Sequence, residues 1–187
     1  NRGVPGCEVL ASRILDLSPK GYKKPSFGPL CMAIRNNQLD KVRDALEIGI
    51  NPLEGAMGIY PLGLAAQTSN YEVLKLMQPY VDIDSLNRRC INELSPLHLA
   101  VRAHNGGQEE VIECLASKDS GFGISVNSRS QSGSTPLHAA VMKSNESAVE
   151  ALLILDADPD LQNAYGDTPL HIAARLNNRG IIRLLLE

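Results

Sequence analysis

Apolar positions along the chain follow two spacings, one nested inside the other. Locally they fall at i, i+1, i+4 and i+5, as in Ala148, Val149, Leu152 and Leu153 or Ile181, Ile182, Leu185 and Leu186, with Val73, Leu74 and Met77 as a shorter version. This spacing lines one face of an α-helix, so each set predicts a helix with a single buried face. Upstream of each set stands a short motif in which Pro precedes Leu: Tyr60-Pro61-Leu62, Thr135-Pro136-Leu137 and Thr168-Pro169-Leu170. A Thr or Ser hydroxyl before the Pro accepts from a free backbone N–H at a helix start, and Pro at the next position lacks only a donor that would have been unpaired anyway. The motif therefore predicts a first, shorter helix, ending near Asn70, Asn105, Asn145 and Asn177, a residue type that tolerates turn geometry. After the second helix comes a polar stretch such as Asp158-Pro159-Asp160-Leu161-Gln162-Asn163-Ala164-Tyr165-Gly166, too polar and too rich in turn formers to remain helical.

The longer spacing is an internal repeat. Gly133-Ser134-Thr135-Pro136-Leu137-His138-Ala139-Ala140 recurs as Gly166-Asp167-Thr168-Pro169-Leu170-His171-Ile172-Ala173-Ala174, a step of 33 residues from Thr135 to Thr168. Ser95-Pro96-Leu97-His98-Leu99-Ala100 lies 40 residues before Thr135, Tyr60-Pro61-Leu62-Gly63-Leu64-Ala65-Ala66 lies 35 before Ser95, and Gly28-Pro29-Leu30-Cys31-Met32-Ala33 lies 32 before Tyr60. This period and motif resemble the ankyrin repeat family over residues 28–187. The resemblance implies an all-α repeat solenoid of helix-turn-helix units joined by β-hairpin-like loops, with units starting near residues 28, 60, 95, 135 and 168. It also implies that His98, His138 and His171 are structural, each imidazole bonding backbone between neighbouring loops.

Departures from the pattern are local. Gly28 and Tyr60 replace the capping Thr, and Cys31 and Gly63 replace the His, so the first two units read as degenerate. The third carries two insertions, one around Asn105-Gly106-Gly107 and one within Ser117–Ser125, where Phe122 between two glycines either anchors a partner or folds back onto the stack. Residues 1–27 form a flanking segment outside the period. In it, Glu8–Leu17 is apolar enough to shield the first unit as one or two helical turns, and Ser18–Pro29 reads as a connector. The last helix lacks the polar outer face of a capping repeat, which predicts a further repeat or capping segment beyond Glu187 in a longer parent.

Composition supports close helix packing. The chain has 26 Leu and 17 Ala among its 187 residues, with no Trp and only 2 Phe, so its core is aliphatic. The longest apolar run, Ala151–Leu155, is far too short to span a bilayer, and no basic segment followed by an apolar stretch opens the chain. The net charge of −3 lacks the basic excess of a direct nucleic-acid binder. Cys7, Cys31, Cys90 and Cys114 are too far apart for a C-x-x-C motif and read as reduced thiols, which places the protein inside the cell, in cytoplasm or nucleus.

The chain carries no recognisable catalytic grouping. It has no nucleophile elbow, phosphate-binding loop, H-E-x-x-H or dinucleotide glycine pattern, so neither enzymatic activity nor a cofactor is expected. The three motif histidines are on helices expected to be about 8–10 Å apart. A shared Zn ion needs N ligands at about 2.0–2.1 Å. His104 reads as a solvated loop residue. Asp82/Asp84 and Asp156/Asp158/Asp160 lack the later Glu and the spaced Gly of a calcium loop and read as turn formers. Asn145-Glu146-Ser147 matches a glycosylation acceptor but reads as idle without a secretory signal.

The remaining offer is recognition. The expected function is a protein–protein interaction module, acting as scaffold, adaptor or inhibitor in a larger intracellular protein. Two narrower alternatives are a regulator similar to inhibitors of NF-kappa-B, suggested by Ala100-Val101 and Ala140-Val141, and a targeting domain of an enzyme whose catalytic part lies elsewhere. By the resemblance, the eighth motif position faces the concave side: Arg35, Gln67, Arg102, Met142 and Arg175, with Lys143 adjacent. Loop tips bordering that face include Arg88, Arg89, Arg129, Gln131 and Tyr165. These residues predict a basic groove for an acidic or phosphorylated protein segment, since arginine pairs bidentately with carboxylates and stacks on aromatics. The alternative is that these arginines only solvate a helical face or pair with neighbouring Asp and Glu.

Overall fold

A computed structural model of the chain describes residues 28–55, 60–86, 94–103, 108–117 and 121–187. The proposed Glu8–Leu17 cap, Arg88, Arg89, His104 and the Asn105-Gly106-Gly107 insertion lie outside the described residues. Five helix pairs follow one another: α1 (Gly28–Arg35) and α2 (Leu39–Glu47), α3 (Pro61–Gln67) and α4 (Tyr71–Met77), α5 (Pro96–Ala100) and α6 (Gln108–Ala116), α7 (Pro136–Met142) and α8 (Glu146–Ile154), α9 (Pro169–Arg175) and α10 (Arg179–Leu186). Each first helix packs on the next first helix, each second helix on the next second helix, and the two layers close on each other within every pair. The all-α repeat solenoid implied by the family resemblance is thus the architecture observed.

Helix starts follow the motif chemistry. The side chains of Ser95, Thr135 and Thr168 each accept from the backbone N–H three residues on, with Pro at the first helical position. The turn between helices differs in detail from expectation. The first helices end two or three residues before Asn70, Asn145 and Asn177, as expected, but Asn70 and Asn145, like Asn178, also use their side-chain carbonyls to cap the second helices, accepting from Val73, Ala148 and Ile181 N–H. The residue bearing the left-handed backbone is the one before, at Asn37, Ser69, Ser144 and Asn177, with φ between 50° and 53°. A short polar side chain tolerates that region better than a bulky one.

The core lies between the layers, where the nested spacings meet. Leu62, Leu97, Leu137, Val73, Val111, Val149 and Leu152 are completely buried, as are Ala100, Ala140 and Ala173. Leu153, Leu170, Ile182 and Leu185 are half-buried. Leu186, expected inside, is 68% exposed at the last position of α10. Phe122 folds back: its side chain is 1% exposed, and its N–H donates to Cys114 O at 3.0 Å while Ile124 N–H donates to Leu115 O at 2.9 Å. Gly121 permits that wrap, since a Cβ there would come within 1.9 Å of the Cys114 carbonyl oxygen. The second insertion therefore ends by packing into the core rather than offering an exposed aromatic.

Candidate functional site

The connectors place loop tips above the first helices. At the fourth unit, Gly133 N–H donates to Ser130 O and Ser130 N–H donates to Ser134 O, each at 2.9 Å, closing a tight turn. Gly133 holds φ +70°, and a Cβ there would approach Ala164 N to 2.9 Å, because the next tip docks against it through Ala164 N–H to Ser132 O. No strand is assigned among the described residues; the loops resemble hairpins only in these turns.

The motif histidines tie helix to tip. His98 Nε2 donates to Ser134 O at 2.9 Å and His138 Nε2 to Asp167 O at 3.0 Å, in each case the carbonyl just before the next cap. Nδ1 of His138 accepts from Thr135 N–H at 3.2 Å, and Nδ1 of His98 lies 2.7 Å from Ser95 Oγ. His138 therefore carries its proton on Nε2, with the Nδ1 lone pair taken by Thr135 N–H, and His98 makes the same Nε2 bond. Burial is the main cause that lowers both pKa values, against the backbone acceptor that raises them. His171 makes the same Nδ1 contacts with Thr168 but is exposed. The thiols of Cys31 and Cys114 are unpaired, with pKa values raised by burial.

The second unit reaches the same bond by another route. Tyr60, at the cap position, is 1% exposed and its hydroxyl donates to Leu94 O at 3.3 Å, again the carbonyl before the next cap. Gly63, at the His position, makes room: a Cβ there would lie 2.8 Å from both Tyr60 Cζ and Leu99 Cδ1. Two apparent defects in the motif are one compensated exchange.

Of the residues singled out for binding, Arg35, Arg102, Arg129, Gln131, Met142, Lys143, Tyr165 and Arg175 are all exposed, as is Gln67. They do not form one continuous site. Arg102, Met142 and Lys143 line a single groove of about 310 Å³ between the third and fourth units, together with Leu94, His98, Ser130, Ser132, Ser134 and Ala139. Leu94 and Met142 expose apolar surface there, at 37% and 61%. Ser132 Oγ lies between Ser130 Oγ (3.0 Å) and Ser134 Oγ (3.1 Å), forming a rail of hydroxyls along one wall. Arg35 stands at the end of α1, away from this groove, and Arg175 Nη2 pairs with Asp167 Oδ2 at 3.0 Å. Tyr165, 83% exposed, occupies the tip of the following connector. Sequence reasoning missed Leu94 and the serine wall, which precede their motifs and acquire meaning only when the tip folds over α5 and α7.

Among the described residues no helix is long and apolar enough to cross a membrane. A family model for ankyrin repeats (3 copies) matches residues 30–130 and 103–187. An ankyrin repeat protein of Acanthamoeba polyphaga mimivirus is 37% identical over 94 residues, covering 50% of this chain and 12% of that protein. One of Fowlpox virus (strain NVSL) is 34% identical over 134 residues, covering 72% and 31%. A protein named as a probable serine/threonine-protein kinase in Dictyostelium discoideum is 28% identical over 144 residues, covering 72% and 16%. The chain thus spans less than a third of each of these relatives. Ankyrin repeats are generally non-catalytic modules for protein–protein interaction. With the period, the stacked helix pairs, the capped Pro-Leu-His motifs and the family match in agreement, the chain belongs to the ankyrin repeat family.

Proposed function

We propose that this chain is the protein-binding module of a larger intracellular protein, taking an acidic or phosphorylated segment of a partner along its first-helix face. The observation that carries the reading is the groove between the third and fourth units, where two exposed cations, Arg102 and Lys143, flank exposed Leu94 and Met142. A carboxylate or phosphate gains charge-assisted hydrogen bonds from the guanidinium, while an adjacent apolar side chain covers Leu94 and Met142. Arg35, Arg129, Gln131 and Tyr165 extend the surface beyond the groove, with Arg88 and Arg89 as further candidates. Arg175 contributes less, since Asp167 already neutralises it.

The test is capture of partners from a lysate over a salt series by the unaltered chain and by Arg102→Glu with Lys143→Glu. Loss of the same partners, several-fold, with a flattened salt dependence is the expected result. Retention of every partner by the folded double variant would remove the groove from the interface. A second reading, that the repeats target an attached enzyme, is favoured by the relative named as a kinase. The full parent sequence decides it, and either reading uses the groove in the same way.

A further inference from the structure

The groove's serine wall includes one exposed hydroxyl. Ser132 is exposed at the tip, whereas Ser130 and Ser134 are only partly so. Its hydroxyl is the middle member of the three-serine rail, and its side chain lines the same cavity as Arg102 and Lys143. Arg129, exposed three residues earlier, puts a cation where an acid-lined kinase cleft gains electrostatic complementarity. The Ser132 carbonyl accepts from Ala164 N–H at 2.9 Å, a backbone contact that leaves the side chain out.

We infer that Ser132 is a phosphorylation site whose phosphate is held by Arg102 and Lys143 within the groove. In the transfer, the Ser132 Oγ–P bond forms as the bond from the terminal phosphorus of ATP to its bridging oxygen breaks. ADP leaves, and the hydroxyl proton passes to the kinase's base. The product adds about −1.5 to −2 charge and three strong acceptor oxygens. The neighbouring hydroxyls of Ser130 and Ser134 supply further donors. The consequence, that the chain's own anion closes the groove to an acidic segment, rests on the function proposed above; the capture of the phosphate does not.

The experiment installs phosphoserine at position 132 of the whole chain and follows its ³¹P resonance against pH. Two nearby cations favour the dianion, so its second ionisation should fall below the ordinary value of about 6 by roughly half a unit or more. It should return to the ordinary value in Arg102→Gln with Lys143→Gln, both solvent-facing changes that leave the core intact. Phosphoserine in a short peptide without basic residues is the unshifted control. Identical curves with and without the two cations would overturn the capture. Incubation with ATP and a kinase selective for basic substrates should label the folded chain, with labelling lost in Ser132→Ala and several-fold weaker in Arg129→Ala. Labelling only after heat unfolding would overturn the site. Phosphate capture combined with partner binding undiminished by the groove charge reversals would support this site and overturn the acidic-segment reading.

Discussion

The second and fourth repeats make the same joint to their successors with different chemistry. In the fourth, Thr135 caps the helix and His138 reaches Asp167 O; in the second, Tyr60 occupies the cap position and itself reaches Leu94 O, over a glycine that replaces the histidine. The shared requirement is a donor for the partly buried carbonyl just before the next helix start, since each such hydrogen bond contributes about 1 kcal/mol. Either end of the motif can supply that donor, provided the other end yields the space. The cost of the exchange is the cap: Tyr60 gives α3 no side-chain hydrogen bond. A motif position that looks lost has therefore moved rather than disappeared.

The largest break in this comparison is Tyr60→Ala, which empties a fully packed aromatic site and should cost about 3–5 kcal/mol in urea denaturation. Tyr60→Phe keeps the ring and should cost only about 1 kcal/mol, the usual worth of one hydrogen bond. If the two substitutions cost the same, the hydroxyl rather than the ring carries the joint. Gly63→His, which restores the family residue alone, should destabilise by about 1–3 kcal/mol through overpacking against Tyr60 and Leu99. Tyr60→Thr combined with Gly63→His rebuilds the fourth-repeat arrangement, and the double should be less destabilised than the sum of the singles. Additive costs would mean that the two positions do not exchange roles.

At the last repeat, Leu170→Ala should cost about 2 kcal/mol, the low end for a leucine, because the side chain is only half-buried. Thr168→Ala should cost about 1 kcal/mol by removing the cap. The order of these two midpoints checks the placement of the helix start.

Acid should separate the joints. His98 and His138 have folded pKa values below the ordinary 6.5, so below that pH the unfolded chain binds more protons than the folded one. Their stabilisation is fully present above about pH 6.5 and declines as pH falls from there through the folded values. Protonation at Nδ1 also removes the acceptor for Thr135 N–H. The Tyr60 joint uses no imidazole, and a phenol has no proton to gain in this range. Amide exchange at moderately acidic pH should therefore rise first around the third-to-fourth and fourth-to-fifth joints. Uniform loosening, including the Tyr60 joint, would contradict that assignment.

The repeat boundaries, the helix pairs and the buried sets around Leu137 and Val149 are readable from spacing, because burial imposes periodicity on whichever face meets the neighbour. Of the Asn residues read as turn formers, Asn177 takes the left-handed backbone as expected, whereas the side chains of Asn70 and Asn145 cap the second helix and the residue before each takes that backbone. The exposed ladder of arginines was legible as exposed. Its division was not, since the Arg175–Asp167 pair and the Arg102–Lys143 groove depend on where the tips land.

Periodicity and capping chemistry are local properties, set within a few residues, and the amino-acid order by itself determined the fold class, the period and the helix starts. Tertiary structure alone decided which side chains cross from one unit to the next. It turned Phe122 inward, gave Tyr60 the work of a histidine, and brought Leu94 and three serines beside Arg102, Met142 and Lys143. Those residues are separated by up to tens of positions along the chain, and only the stacking of one repeat on the next brings them within contact distance.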